Sequence, residues 1–488
     1  MYKIIIHDNK TCQFITNDKK IFNEIKKELS YKQTGVEYTQ AFKNGWSGIT
    51  YLINNKGYFF LGLLTRVKIH LDFLEVKYEI EDKRKQLEVF EPIDLSNKFK
   101  EIGFEPRDYQ ERIVQACLDN RKGIVRAATS AGKTGVIANV VAKLNKPAII
   151  YVIGLDLLKQ FHDLFSKLFD EPIGFVGNGV CDIQRITIAS IWTIGRSLDQ
   201  KDIISDIDDE DNSEKYNAGN KPQILKMLSK AKVHIFDESH AIVCETIRSI
   251  HDVIDPEHIY GFSGTPFRDD NTDLLVHGIL GDQITDVSAS ELIAKGVVAQ
   301  PIIKFVSIPA ENMQLANYQS VYKNYIAENE IRNSIIINET KKLIDKGYTT
   351  LVLFKQIKHG NILFELMKNE GIECALLDGT DSLDDRTKIK SLVTNGEIKV
   401  ILASTIFDIG LDLPRLSGLV LCGGGKSSIR TLQRVGRVIR KYPGKKVAAI
   451  VDFYDQVKFL KKHSMIRYNI YKSEHGFKVI PSKEMIKH

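Results

Sequence analysis

No apolar run in this sequence approaches the roughly 20 residues needed to span a bilayer, and its opening, MYKIIIHDNKTCQF, lacks the basic start and long apolar core of a secretory leader. The six cysteines (Cys12, Cys117, Cys181, Cys244, Cys374 and Cys422) lie far apart with no C-x-x-C pair. That spacing excludes a zinc ribbon and a disulfide framework and leaves reduced thiols as the expectation. Low-complexity tracts, obvious internal repeats and an attached nuclease motif are also absent. These absences point to a soluble, cytoplasmic chain, and a monomer is expected.

What is present is ordinary in bulk. Hydrophobic residues make up 43% and charged residues 27% of the 488 positions, which excludes a disordered or fibrous chain. The length implies roughly two to four domains. A net charge of +6 permits a nucleic-acid partner without demanding one.

The order of patterns is more informative. Residues 1–98 alternate short β-like runs (YKIIIH, CQFIT, GITYLI, YFFLGLL, LEVKYEI) with a helical stretch near IFNEIKKEL, the texture of a small α/β unit. From FEPRDYQERIVQACLDN onward, apolar strands such as KPAIIYVI, RITIAS and KVHIFDE alternate with amphipathic helices, as in a doubly wound parallel sheet over residues 99–300. Residues 201–222 are acidic and polar without period and are expected to be an exposed loop. Proline and loss of helical period at GVVAQPIIKFVSIPAEN suggest a crossing between domains. A second such alternation (TTLVLFK, ECALLDG, KVILAS, GLVLCGG, KVAAIVDF) fills 301–455, and a basic, aromatic segment closes the chain at 456–488. The fold class is therefore α/β, with two tandem doubly wound parallel-sheet domains behind a small N-terminal α/β domain.

The stretch GIVRAATSAGKTGVIANVV carries the first chemistry. A phosphate-binding loop asks for glycine, four free positions and then Gly-Lys-Ser/Thr, and here Ala127 stands in the first glycine's place. That glycine mainly relieves crowding, so alanine is tolerable. The essential parts are the backbone N–H groups over Thr129, Ser130, Ala131 and Gly132, the ammonium of Lys133 and the hydroxyl of Thr134. About a hundred residues on, KVHIFDESH ends an apolar strand in Asp237 and Glu238, at the sheet edge where such folds bind ligands. Asp237 can hold Mg²⁺, and Glu238 can take a proton from an attacking water. Taken singly, the first could be a chance match at a helix start and the second a solvated turn. Together in this order they point to ATP and Mg²⁺.

Asp-Glu-x-His after a P-loop resembles superfamily 2 helicases and translocases of the DEAD/DEAH type, with tandem RecA-like domains. The resemblance covers roughly residues 105–455. It assigns Arg107 and Gln110 of RDYQ to adenine recognition. Asp237, Glu238 and His240 fall in the acidic motif, and Ser263, Gly264 and Thr265 of FSGTP in the motif coupling hydrolysis to nucleic-acid binding. Gly410 and Asp412 of STIFDIGLDLP match a ribose or phosphate contact. Gln433, Arg434, Gly436, Arg437 and Arg440 match Q-x-x-G-R-x-x-R, whose arginines complete the ATP site; Arg437 and Arg440 are read as three apart on one helix face. In isolation that segment is a basic surface helix.

Where the family commonly has Pro-Thr, this chain has VIGLDLLKQF, so Lys159 and Gln160 carry no assignment. Near His359 and Gly360 a helix start could bind phosphate or be an ordinary turn. Within the superfamily, AFKNGWSGITYLI, FLGLL, TSAGKT, LFKQIKHGNILFELMK and LQRVGRVIRK followed by VDFYD resemble the phage UvsW-type recombination helicases. That implies remodelling of branched DNA, with DNA as partner. Trp46, Tyr58, Phe59 and Phe60 could form a DNA wedge, or be core. An RNA helicase, or an ATP-switched DNA-binding subunit of a restriction or repair assembly, are the competing readings.

Overall fold

The computed structural model describes residues 2–32, 40–200, 203, 214–239, 242, 244–264, 273–309, 317–377, 383–404, 413–425 and 428–486. Two compact units emerge. One comprises Met1–Ala127 with Gly132–Asp286, the other Ala128–Ala131 with Val287–His488.

At the front of the first unit are β1 (Lys3–Ile6), β2 (Thr11–Ile15), β3 (Ser30–Lys32), β4 (Ile49–Tyr51), β5 (Tyr58–Phe60) and β6 (Glu79–Asp82). The order β5-β2-β1-β6 makes a four-stranded sheet, and β3 pairs with β4 separately. The run YFFLGLL is strand only as far as Phe60, because Leu61–Leu63 turn as a 3₁₀ helix into the helix Leu64–Phe73.

Behind it lie β7 (Lys122–Ala127), β8 (Ala148–Val152), β9 (Ile173–Gly177), β10 (Val180–Asp182), β11 (Ile186–Ser190), β12 (Val233–Phe236), β13 (His258–Ser263) and β14 (Gln283–Val287). Their order is β10-β9-β11-β8-β12-β13-β7-β14. Every residue of β8 and of β12 is buried, which explains why AIIYV and VHIF read as continuous apolar runs: helices cover both faces of such a sheet.

The small front sheet is docked on these helices. The Lys10 ammonium donates to the carbonyls of His251 (2.9 Å) and Ile254 (2.9 Å) at the end of the helix Cys244–Val253. Gly62 backs onto His277 and Gly278 so closely that a Cβ there would lie 2.1 Å from the His277 carbonyl. Phe59 is core and Phe60 packs edge-on against His251, whereas Trp46 and Tyr58 are exposed. The aromatic group named as a possible wedge is therefore divided between interior and surface.

The second unit holds β15 (Gln300–Ile308), β16 (Thr350–Leu353), β17 (Cys374–Leu377), β18 (Val400–Ala403), β19 (Gly418–Leu421), β20 (Val447–Asp455) and β21 (Lys478–Ile480), in the order β17-β18-β16-β19-β20-β15-β21. The stretch read as a crossing thus contains a nine-residue strand. Its Pro301 misled the reading. That residue sits opposite Ala448 but beyond the reach of β21, which pairs only with Ile302–Lys304, so the missing N–H leaves no gap in the ladder. The C-terminal helix Lys458–Ser473 packs on β20 and buries Arg467 and Tyr471. Both large sheets are doubly wound, so the chain is α/β with two tandem RecA-like domains.

Candidate nucleotide site

β7, β8, β12 and β13 run parallel, so Ala127, Val152, Phe236 and Ser263 end on one edge of the first sheet. The turn after β7 carries Thr129, Ser130 and Ala131, with Ser130 at φ 74°. Gly132 follows at φ 80° as N-cap of the helix Lys133–Leu144, and no side chain caps that helix start. A left-handed, glycine-led entry with backbone amides at its mouth suits an oxyanion. A Cβ on Gly132 would lie 2.4 Å from the Gln110 amide nitrogen, so the glutamine lies directly against the loop.

Gln110 is held there by the local fold. It is the third residue of the helix Asp108–Asp119; its Oε1 accepts the Arg107 backbone N–H at 2.9 Å, and its own N–H donates to the Arg107 carbonyl at 2.8 Å. The Arg107 guanidinium in turn donates to the Tyr109 hydroxyl at 2.9 Å. Phe104 was not singled out from sequence. Its ring covers the P-loop helix so tightly that a Cβ on Gly135 would meet it at 2.8 Å.

β12 delivers the acidic pair. The Asp237 N–H donates to the Tyr151 carbonyl at 2.9 Å, and Glu238 turns back at φ 50°. Lys133 Nζ is hydrogen-bonded to Glu238 Oε1 and lies 3.9 Å from Asp237 Oδ1. Asp237 is 4% exposed and its Oδ1 accepts no hydrogen bond among the described residues. Burial pushes its carboxyl up to about 6; the Lys133 charge opposes that rise and Glu238 adds to it. One residue on, the Ser239 N–H donates to the Phe262 carbonyl at 3.0 Å, tying the acidic turn to the end of β13, where Ser263 is fully buried and Gly264 follows.

In the second unit, the helix Ser428–Val438 carries Arg434 and Arg437. Arg440 lies beyond its end, because the chain there turns to form an antiparallel bridge with Val298. The reading of Arg437 and Arg440 on one helix face is thereby corrected. His240, Thr265, Gly410, Asp412 and the Gln433 side chain lie outside the described residues.

His359 is not a surface group. It is fully buried, its Nε2 lies 3.0 Å from Asn333 Oδ1, and burial holds the imidazole down at about 3. The side chain is therefore a core group, and the N–H groups of His359 and Gly360 both donate to the Gln356 carbonyl at the start of the helix Ile357–Asn369. Lys159 and Gln160 are exposed on the helix Leu155–Leu168.

A lysine at a capless helix start beside two carboxylates at one sheet edge is the arrangement of a nucleoside triphosphatase. The type III restriction enzyme res subunit family matches residues 103–268, and the helicase conserved C-terminal domain matches residues 326–442. The chain belongs to superfamily 2 of the ATP-dependent helicases.

Among its relatives, the ATP-dependent DNA helicase UvsW of Enterobacteria phage T4 is 25% identical over 476 residues, which cover 93% of this chain and 90% of UvsW. The DNA 3'-5' translocase XPB2 of Sulfurisphaera tokodaii is 26% identical over 407 residues, 75% of this chain and 85% of that one. The structure of Saccharomyces cerevisiae Dbp5 bound to RNA and ADP BeF3 shares the fold, with a TM-score of 0.51 and 16% identity over 80% of this chain and 94% of that one. Among the described residues no helix is long and apolar enough to cross a membrane.

Proposed function

We propose that this helicase is an ATP-driven DNA motor that unwinds or remodels branched DNA, forks and Holliday-type junctions, in recombination, repair or replication restart. The observation that carries the ATPase part is the Lys133, Asp237 and Glu238 cluster at the end of β7 and β12. DNA as the substrate is supported by two relatives, one named a DNA helicase and one a DNA translocase, and the phage helicase is similar over nearly the whole of both chains.

In this reading Lys133 binds the β and γ phosphates, and the backbone of Thr129–Gly132 wraps them. Gln110, with Arg107 behind it, faces the adenine. Thr134 and Asp237 fit Mg²⁺, since the buried Asp237 Oδ1 has no other donor aimed at it among the described residues. When bound, that ion would neutralise phosphate charge. Glu238 orients the attacking water and takes its proton. Ser239 passes the change to β13 and the Ser263–Gly264 turn, which couples hydrolysis to the grip on DNA. Arg437 and Arg440 act in hydrolysis rather than in nucleotide binding.

Stimulated ATPase measured with forked, four-way and linear DNA and with RNA tests the assignment. Forked and four-way DNA should stimulate most, with strand separation or junction migration by the purified chain. Strongest stimulation by RNA would overturn the DNA assignment, and ATP turnover without any strand movement would favour a switch over a motor.

A further inference from the structure

The motif VDFYD that ends β20 has no part in the nucleotide chemistry above, yet its two aspartates sit among the most buried charges of the second unit. Asp452 and Asp455 lie three apart on one strand, so they face opposite layers of the sheet. Each meets an arginine from its own layer. On one side Arg467, from the helix Lys458–Ser473, donates through Nε (2.9 Å) and Nη2 (2.8 Å) to the two Asp452 oxygens, and Tyr471 adds its hydroxyl at 3.0 Å. On the other Arg332, from the helix Glu330–Asp345, donates from Nε to Asp455 at 2.9 Å and lies over the Phe453 ring.

Each arginine has a third direction left, and both spend it on the same turn. Arg332 Nη1 donates to the Cys422 carbonyl at 2.9 Å and Arg467 Nη1 to the Gly425 carbonyl at 2.6 Å. That turn, Cys422-Gly423-Gly424-Gly425, joins β19 to the helix Ser428–Val438 that carries Arg434 and Arg437. Gly424 (φ 62°) and Gly425 (φ 106°) are in the left-handed region, and three glycines in a row have no side chain with which to fix a path. Only a fork-shaped cation can hold a carboxylate with two bonds and reach a carbonyl with a third.

We propose that Arg467, with Asp452, is a positioning residue for ATP hydrolysis: by gripping the Gly425 carbonyl it fixes where the arginine-bearing helix starts, and Arg332 with Asp455 fixes the turn's other end. This rests on the reading that Arg437 and Arg440 act in hydrolysis.

The experiment compares wild type with Arg467→Lys, the double variant Asp452→Leu/Arg467→Met, and Arg437→Ala/Arg440→Ala. For each, DNA-stimulated kcat, equilibrium binding of a fluorescent ATP analogue and the thermal unfolding midpoint are measured. Lysine keeps the charge but not the third bond, and the Leu/Met pair replaces a buried ion pair by apolar bulk, an exchange that leaves folds intact elsewhere. Both should fold and bind nucleotide as wild type does, while kcat falls about tenfold to a hundredfold, the scale of a small misplacement in an active site. Wild-type kcat in Arg467→Lys beside a dead Arg437→Ala/Arg440→Ala overturns the positioning role alone. Wild-type kcat in both overturns the role of the arginines and the proposal with it. A kcat loss matched by an equal loss of folded protein also overturns it, and if the double variant does not fold, Arg467→Lys decides.

Discussion

Two of the buried aspartates, one in each unit, are treated oppositely. In the first unit Asp237 is buried with one oxygen that accepts no hydrogen bond among the described residues and with its carboxyl raised to about 6. In the second unit Asp452 is buried more deeply and yet accepts from Arg467, from Tyr471 and from the Phe453 N–H (2.7 Å). A saturated network is a girder, since nothing can be added to it. An under-supplied carboxylate at a sheet edge is poised to receive a ligand. The contrast separates site from scaffold where burial alone does not.

The largest effect that would sharpen this contrast is loss of turnover in Lys133→Ala. Its ammonium is the charge that the β and γ phosphates require, so steady-state hydrolysis should fall by roughly 10³-fold or more, comparable with other charge deletions in phosphoryl transfer. Hydrolysis close to wild type would remove the P-loop assignment. Glu238→Gln comes next. The amide cannot accept the water's proton, so turnover should fall by about 10² to 10⁴ while ATP and DNA still bind. If ATP binding vanished in a folded variant, Glu238 would be a binding or structural residue.

Asp237→Asn should separate function from stability. Because burial raises the folded carboxyl above its unfolded value, the unfolded chain ionises first as pH rises, and the folded state loses stability between pH 3.8 and about 6. Asparagine removes that loss. In chelator-treated buffer the variant should be the more stable protein at pH 8, by up to about 3 kcal/mol from the linkage relation, with the gap closing towards pH 4. Denaturant unfolding at both pH values reads this directly. A gap that ignores pH would mean burial is not the cause.

The smallest effect expected is that of Lys10→Met. The ammonium caps the carbonyl end of the helix Cys244–Val253, so its loss should destabilise the first unit by about 1–2 kcal/mol without changing turnover per folded molecule. Unchanged stability would make that contact incidental to the docking of the front sheet.

Much of the fold was legible because a parallel sheet covered on both faces leaves short continuous apolar runs such as AIIYV and VHIF, alternating with amphipathic helical segments. The nucleotide side chains were legible because their chemistry requires fixed spacing along one turn. What stayed hidden depends on partners distant in sequence. Lys10 and His251 are 241 positions apart, and no local pattern marks a lysine as a helix cap. Arg467 lies in KFLKKHSMIRYNIYKS, where it reads as one more basic residue of an exposed helix, and only the fold shows it to be 4% exposed. Arg440 was misplaced for a related reason: helical spacing was extended past the point where Val298 takes over the backbone.

The placement of β15 bears on how the chain is made. Its neighbours in the sheet are β20 and β21, both near the end of the sequence, so during synthesis the segment QPIIKFVSI leaves the ribosome on the order of a hundred residues ahead of any partner. At roughly 5–20 residues per second that is a wait of about ten seconds, with two open edges and a largely apolar face. A nascent chain of this protein therefore carries an unpaired strand from the release of β15 until β20 follows, and any product ending before Lys478 keeps one side of β15 open for pairing with another copy.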